Sequence, residues 1–326
     1  MERRKAVYFF GAGASAAESP VAPTNTNLLK GGLSRRQGKY QTLQRFLTDW
    51  GFSDFQFLPS IEELLSILDN CLSKGEPIGQ RWSISDLTRC REELVTCIYD
   101  VIGDTLDSRS NGSSEQGLYE QLIRQLPGED VSLISLNYDL LLDTALHRSG
   151  RTPNYSLDFL DFAGEPGHET VVGPHPARGD IKLFKLHGSI NWGYCPSCYT
   201  TVFTRDQKIS HEQVCPTCNG LLTALIVPPT PMKVPPSPFL SALWKKAEWE
   251  LSQAKEIVFI GYSLSDADAN IRYLLFRGFF GYTPKVTVVL KQNPPDYHSP
   301  VVGRYHRLFP GGVAFFWGGF EAFANR

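Results

Sequence analysis

The chain has 326 residues, 42% of them hydrophobic and 20% charged, a balance that builds a buried core and excludes intrinsic disorder. The formal net charge is -2 and the basic residues form no long run, so no nucleic-acid-binding surface is evident. No apolar stretch approaches the ~20 residues of a membrane span. The apolar run at residues 6–10 is broken at once by Gly11 and Gly13, too soon for a secretory signal core, and a cytoplasmic protein is expected.

Residues 5–11 read as a short buried strand that runs into Gly11-Ala12-Gly13-Ala14-Ser15. Residues 25–128 read as mainly helical, with apolar residues at three- and four-residue spacing over 61–68 and 87–102. Strand-like runs then return at 131–136, 181–186, 256–260 and 285–290, with a candidate edge strand at 313–316. The runs at 257–260 and 286–290 are the two most apolar and read as parallel strands buried on both faces. Helical segments at 140–148 and 267–277 lie between strands, and 228–238 is a proline-rich surface loop. The expected fold is α/β: a Rossmann-like parallel sheet with a large helical insertion and a small four-cysteine zinc ribbon. Residues 1–24, 131–192 and 224–326 would form the discontinuous sheet domain, 25–130 the helical module and 193–223 the ribbon.

The segment Gly11-Ala12-Gly13-Ala14-Ser15-Ala16 fits the G-x-G-x-x-G/A pattern directly after a strand. Glycine there lets the backbone approach a pyrophosphate, and the helix start would direct free N–H groups at it. The same residues also suit an ordinary strand-to-helix turn. The acidic residue that usually follows about 20 positions later is missing.

Cys195-x-x-Cys198 and Cys215-x-x-Cys218 are separated by 16 residues, the spacing of a tetrahedral zinc site. Four thiolates would leave no position open for water, so the site is structural. His211 lies between the pairs and reads as a surface residue. Cys71, Cys90 and Cys97 sit in an apolar helical setting and read as core thiols.

Polar or small residues follow four of the strands. Asn137-Tyr138-Asp139 lies where ligands of open α/β sheets bind, although Asn137 would equally cap the next helix. His187 is placed either as a general base or as a half-buried ring bonded to backbone. Gly261-Tyr262-Ser263 would let a nucleotide lie against the sheet, while Ser265 and Asp266 suit a helix cap. Asn293 follows the next strand.

In this order, the glycine turn, Ser135-Leu-Asn137-Tyr-Asp139, Lys185-Leu-His187-Gly-Ser189, the cysteine pairs starting eight residues after the histidine, and Gly261-Tyr-Ser263 resemble the sirtuin superfamily over nearly the whole chain. The resemblance implies that Gly11, Ala12, Gly13 and Ser15 hold the phosphates of NAD. Asn137 would contact the nicotinamide ribose, Asp139 the carboxamide, and His187 would act as base. Gly261, Ser263 and Asn293 would line the adenosine half. Protein-deacetylating sirtuins carry Asp-Phe-Arg after the glycine turn, a glutamine before the asparagine and a peptide-pairing Phe-Gly-Glu. Here Ala22-Pro-Thr24, Leu136 and Ile226-Val-Pro-Pro-Thr230 stand instead. These features are similar to bacterial sirtuin-like proteins of antiphage defence, whose relatives hydrolyse NAD. The resemblance thus implies an NAD glycohydrolase, with an NAD-dependent deacylase and a non-catalytic NAD or ADP-ribose sensor as alternatives. It leaves a homo-oligomer or a defence-system partner protein open.

Overall fold

In the computed structural model, which describes residues 5–24, 27–36, 38–52, 57–107, 116–126, 130–163, 170–174, 179–204, 208–209, 213–227, 238–266, 268–292 and 294–326, the apolar runs become one parallel sheet. Strand β1 (Lys5–Phe10) turns directly into helix α1 (Ala12–Glu18). The helical stretch that follows comprises α2 (Leu28–Arg35), α3 (Gln41–Trp50), α4 (Ile61–Lys74), α5 (Ile84–Asp107) and α6 (Leu118–Gln125). The chain then enters β2 (Val131–Ser135), α7 (Leu141–Arg148), β3 (Pro153–Asn154), β4 (Leu160–Ala163), β5 (Thr170–Pro174), β6 (Ile181–Lys185), β7 (Gly188–Tyr194), β8 (Thr201–Phe203) and β9 (Thr223–Ile226). It ends through α8 (Pro238–Ser252), β10 (Ala254–Ile260), α9 (Ala269–Phe279), β11 (Lys285–Val289), α10 (Pro300–Leu308), β12 (Ala314–Phe316) and α11 (Gly319–Ala324).

The large sheet has the order β12-β11-β10-β1-β2-β6-β3 with parallel pairings throughout. All five of its longer apolar strands, and β12 as an edge strand, lie where the sequence predicts them. From β1 the chain builds outward through β2 and β6, and later through β10 and β11 on the other side. The order therefore reverses beside β1, which is where open α/β sheets bind ligands. Register brings the carboxyl ends together: Phe10 lies beside both Ile260 and Ser135, and Ser135 beside Lys185.

A second sheet, β5-β4-β8-β7-β9, was not expected from the sequence. Strands of three to five residues make up most of it, too short to show an alternating pattern. Its β7 runs through residues 192 and 193, so the sheet and the cysteine segment are continuous.

The helical stretch has its own apolar core, including Leu47, Leu64, Leu68, Leu94 and Cys97. Leu140, Ile190 and Ile226 extend that core to the strands. The Tyr99 hydroxyl on α5 donates to Ile190 O and, at 2.9 Å, to Ile209 O, fixing α5 against β7. Cys90 and Cys97 are fully buried, and burial pushes both thiols up to about 12. Among the described residues no helix is long and apolar enough to cross a membrane.

Candidate active site

The glycine turn closes tightly onto the end of β10. A Cβ on Gly11 would lie 2.7 Å from Gly261 O, and one on Gly13 2.9 Å from the same atom. Glycine is thus required here by the contact of one backbone with another. The expectation of free N–H groups for a phosphate is corrected in part: Gly13 N donates to Gly261 O and Ala14 N to Gly11 O, both at 2.9 Å.

Asn137 follows β2 and turns its side chain inward. Its amide Nδ2 donates to Gly11 O at 3.0 Å and to Ser15 Oγ at 2.8 Å, so the end of β2 is tied to the glycine turn. Asn137 therefore does not cap the next helix. The N-cap position of α7 is Leu140, which offers no side-chain cap, and one residue earlier Asp139 Oδ1 accepts from Leu141 N at 2.9 Å in a local turn. Asp139 is buried, and burial raises its pKa above the ordinary carboxylate value against the opposing charge of Lys185 and the Leu141 N–H.

His187 follows β6 and at 5% exposed is buried, where a half-buried ring was expected; it bonds backbone and lines the cavity. Its Nδ1 lies 3.1 Å from Leu136 O. A carbonyl only accepts, so Nδ1 carries a proton; when the ring is neutral, the lone pair lies on Nε2. Tyr138 stacks beside it, with ring centroids 5.9 Å apart and planes 29° apart.

These residues line one cavity of about 420 Å³. Gly11, Ala12, Gly13, Ser15, Asn137, Asp139, His187, Gly261 and Ser263 all contribute to its wall. Asn293 and His211 lie outside the described residues. Sequence reasoning missed Leu28 and Ile102 from the helical stretch, as well as Tyr138, Tyr262, Ser265 and Asp268. Tyr138 stood in plain sight between two selected residues. Nothing local marks Leu28 or Ile102, because their place depends on how α2 and α5 pack. Asp268 accepts from the Tyr262 hydroxyl at 3.0 Å, while Asp266 is held by Arg272.

The four predicted cysteines also come together, with all four Sγ atoms within 4.8 Å of one another. Cys195 and Cys218 are 3.4 Å apart, and Cys198 and Cys215 3.5 Å. Four thiolates around a tetrahedral zinc at ~2.3 Å would stand about 3.8 Å apart, so the cluster fits such an ion. The two knuckles repeat one geometry. Cys195 N donates to Thr200 O and Cys215 N to Gly220 O, with Tyr199 and Asn219 both at φ 60°.

The SIR2-like domain family matches residues 131–302, more than half of the chain, and the chain belongs to that family. The sirtuin-like fold expected from the sequence is therefore the fold of this chain. Among solved structures, a Sir2 homologue–NAD complex is 16% identical, with a TM-score of 0.47 over 99% of this chain and 88% of that one. A Sir2 homologue mutant–ADP ribose complex is 15% identical, with a TM-score of 0.49 over 99% and 91%. A Sir2–peptide–NAD+ complex is 17% identical, with a TM-score of 0.42 over 99% and 91%. No curated protein matches the chain.

Proposed function

We propose that the protein is a sirtuin-like NAD glycohydrolase, cleaving the nicotinamide–ribose bond to give nicotinamide and ADP-ribose. The observation that carries this is the convergence of Gly13, Asn137, Asp139 and His187 on one cavity, of a size suited to a small-molecule ligand. The bond breaks through a transition state with positive charge on the sugar, as in glycoside hydrolysis. Gly11, Ala12, Gly13 and Ser15 would face the phosphates, and Gly261, Ser263 and Asn293 the adenosine half. Asn137 would hold the nicotinamide ribose and Asp139 the carboxamide. Water would add to the ribose carbon as its proton passes to His187 Nε2. Nicotinamide would leave neutral with the electron pair of the broken bond.

Water is favoured over an acyl-lysine as the acceptor by the backbone at Val227. Its N–H donates to His187 O at 2.8 Å, and its carbonyl accepts from the Tyr138 hydroxyl at 2.6 Å. The N–H, a single donor, is already bonded within the chain, so at this residue it is not left to pair with a peptide strand. Cys195, Cys198, Cys215 and Cys218 would hold a zinc ion that cross-links the segment and takes no part in the reaction.

Nicotinamide release from NAD, with and without an acetylated peptide, tests the proposal in wild type and Asn137→Ala. Release without peptide that the substitution abolishes is the expected result. Release only with peptide makes the protein a deacylase, and NAD binding without release makes it a sensor. The antiphage role implied by the resemblance belongs to the same proposal. Phage challenge of bacteria carrying wild type or His187→Ala, with cellular NAD followed, tests it.

A further inference from the structure

Behind the cavity wall a buried cation joins the two segments that carry its polar residues. Lys185 ends β6 and is 1% exposed. Its Nζ donates to Asp139 O at 2.6 Å, to Ser189 Oγ at 2.7 Å and to Asp143 Oδ2 at 2.9 Å, which uses all three of its donors. Ser189 Oγ in turn donates to Tyr138 O at 3.3 Å, and Asp143 Oδ1 accepts from the Tyr155 hydroxyl at 2.7 Å. The network spans the segment with Asn137 and Asp139, the start of β7 after His187, and α7.

Holding the fold together does not require charge here. Desolvation of a buried ion pair offsets much of its attraction, and two apolar side chains of similar volume would pack as well. An ion pair differs from an apolar pair in what it does to its neighbours. Asp139 is faced by Lys185 from β6, Asp143 from α7, Tyr119 from α6, and the hydroxyl of Ser15 from α1. Of these groups Lys185 alone is cationic.

We propose that Lys185 is a positioning residue of this site: it ties the Asn137–Asp139 segment to the His187 segment, and its charge holds Asp139 as the anion that faces the ligand. Its effect on turnover rests on the NAD-cleavage reading; its effect on Asp139 does not. The decisive measurement is the titration of Asp139 in carbon-13 spectra of the full chain labelled at aspartate carboxyls, with the signal identified by its loss in Asp139→Asn.

The two members of the pair carry opposite charges, so removing them has opposite effects. In Lys185→Met the midpoint moves to higher pH. In Asp143→Asn, which keeps the cation and removes an anion, it moves to lower pH. A purely structural pair would move both midpoints the same way or neither, and that result overturns the proposal. Lys185→Met leaves Asp143 buried without its partner, and the variant can fail to fold. Asp143→Asn then decides alone: a downward midpoint supports the proposal, and an unchanged or raised one overturns it. Nicotinamide release is read separately and is expected to fall about 10²-fold in Lys185→Met, as misplacement of a reacting group does. A wild-type protein that releases none refutes the NAD-cleavage proposal and leaves the titration result standing.

Discussion

Gly261→Ala adds one methyl group where β10 meets the glycine turn. Gly261 has φ +63°, a conformation that costs alanine about 1–2 kcal/mol. The new Cβ would also lie 2.0 Å from Ala14 N and 2.4 Å from Gly13 C. Both are backbone atoms in a turn held by hydrogen bonds, so no side chain can swing aside. Overpacking of that kind costs a further ~1–3 kcal/mol. The sum, about 2–5 kcal/mol, is a large share of the ~5–15 kcal/mol that holds a domain folded. Two other glycines separate the contributions. Gly38 has φ +79° with no atom within 4 Å of a Cβ, so Gly38→Ala should show the conformational cost alone. Gly31 lies inside α2 with open space around it, and Gly31→Ala should stabilise by about 1 kcal/mol through helix propensity. Urea denaturation followed by circular dichroism measures all three. If Gly261→Ala falls within about 1 kcal/mol of Gly38→Ala, the packing argument for the turn is wrong.

His187→Ala should lower nicotinamide release by about 10²–10⁴-fold, the usual contribution of a positioned base, with little change in NAD affinity. Equal turnover would remove His187 from that role. Cys195→Ser, or a strong chelator, should lower the melting temperature before it affects turnover per folded molecule, because structural metal is coupled to folding. A variant that keeps its melting temperature and loses only activity would contradict a structural site. Asp100 supplies a pH test. Burial pushes its pKa up, but hydrogen bonds from Lys39, Tyr40 and Lys208 prevail and hold it down to about 2. A value lowered on folding stabilises above the unfolded pKa, near pH ~4, and that stabilisation is lost as pH falls towards the folded value. The advantage of wild type over Asp100→Asn should therefore be about 2 kcal/mol at neutral pH and close between about pH 4 and 2. An advantage that persists undiminished at pH ~2 would rule out the charge as its source.

Much of the site was legible because parallel strands advertise themselves. Residues 257–260 and 286–290 are strongly apolar, as strands covered on both faces are, and the polar residues that follow such runs must emerge at the sheet's carboxyl edge. The cysteine spacing was equally readable, since two residues between thiolates set the knuckle before any folding. What local sequence could not resolve was the competition between roles. Asn137 and Asp139 are both residue types that cap helices, yet neither is the N-cap of α7: the Asn137 amide finds Gly11 O and Ser15 Oγ across the sheet, and Asp139 bonds Leu141 N in the turn before the helix. The burial of Lys185 was not legible either, because only the folded chain brings its three acceptors into place.

By itself the chain's pattern of apolar runs determined the longer strands of the parallel sheet, the α/β class and the edge at which polar residues gather. Those follow from the alternation of buried and solvated positions, which acts over a few residues. Tertiary structure alone decided which edges meet: the order that sets β10 beside β1, the approach of Gly261 to Gly11 and Gly13, and the arrival of Leu28 and Ile102 at the cavity wall. Such contacts join residues some 30 to 250 positions apart in the chain. They are selected by the packing of whole elements, a many-body choice that no short window of sequence encodes.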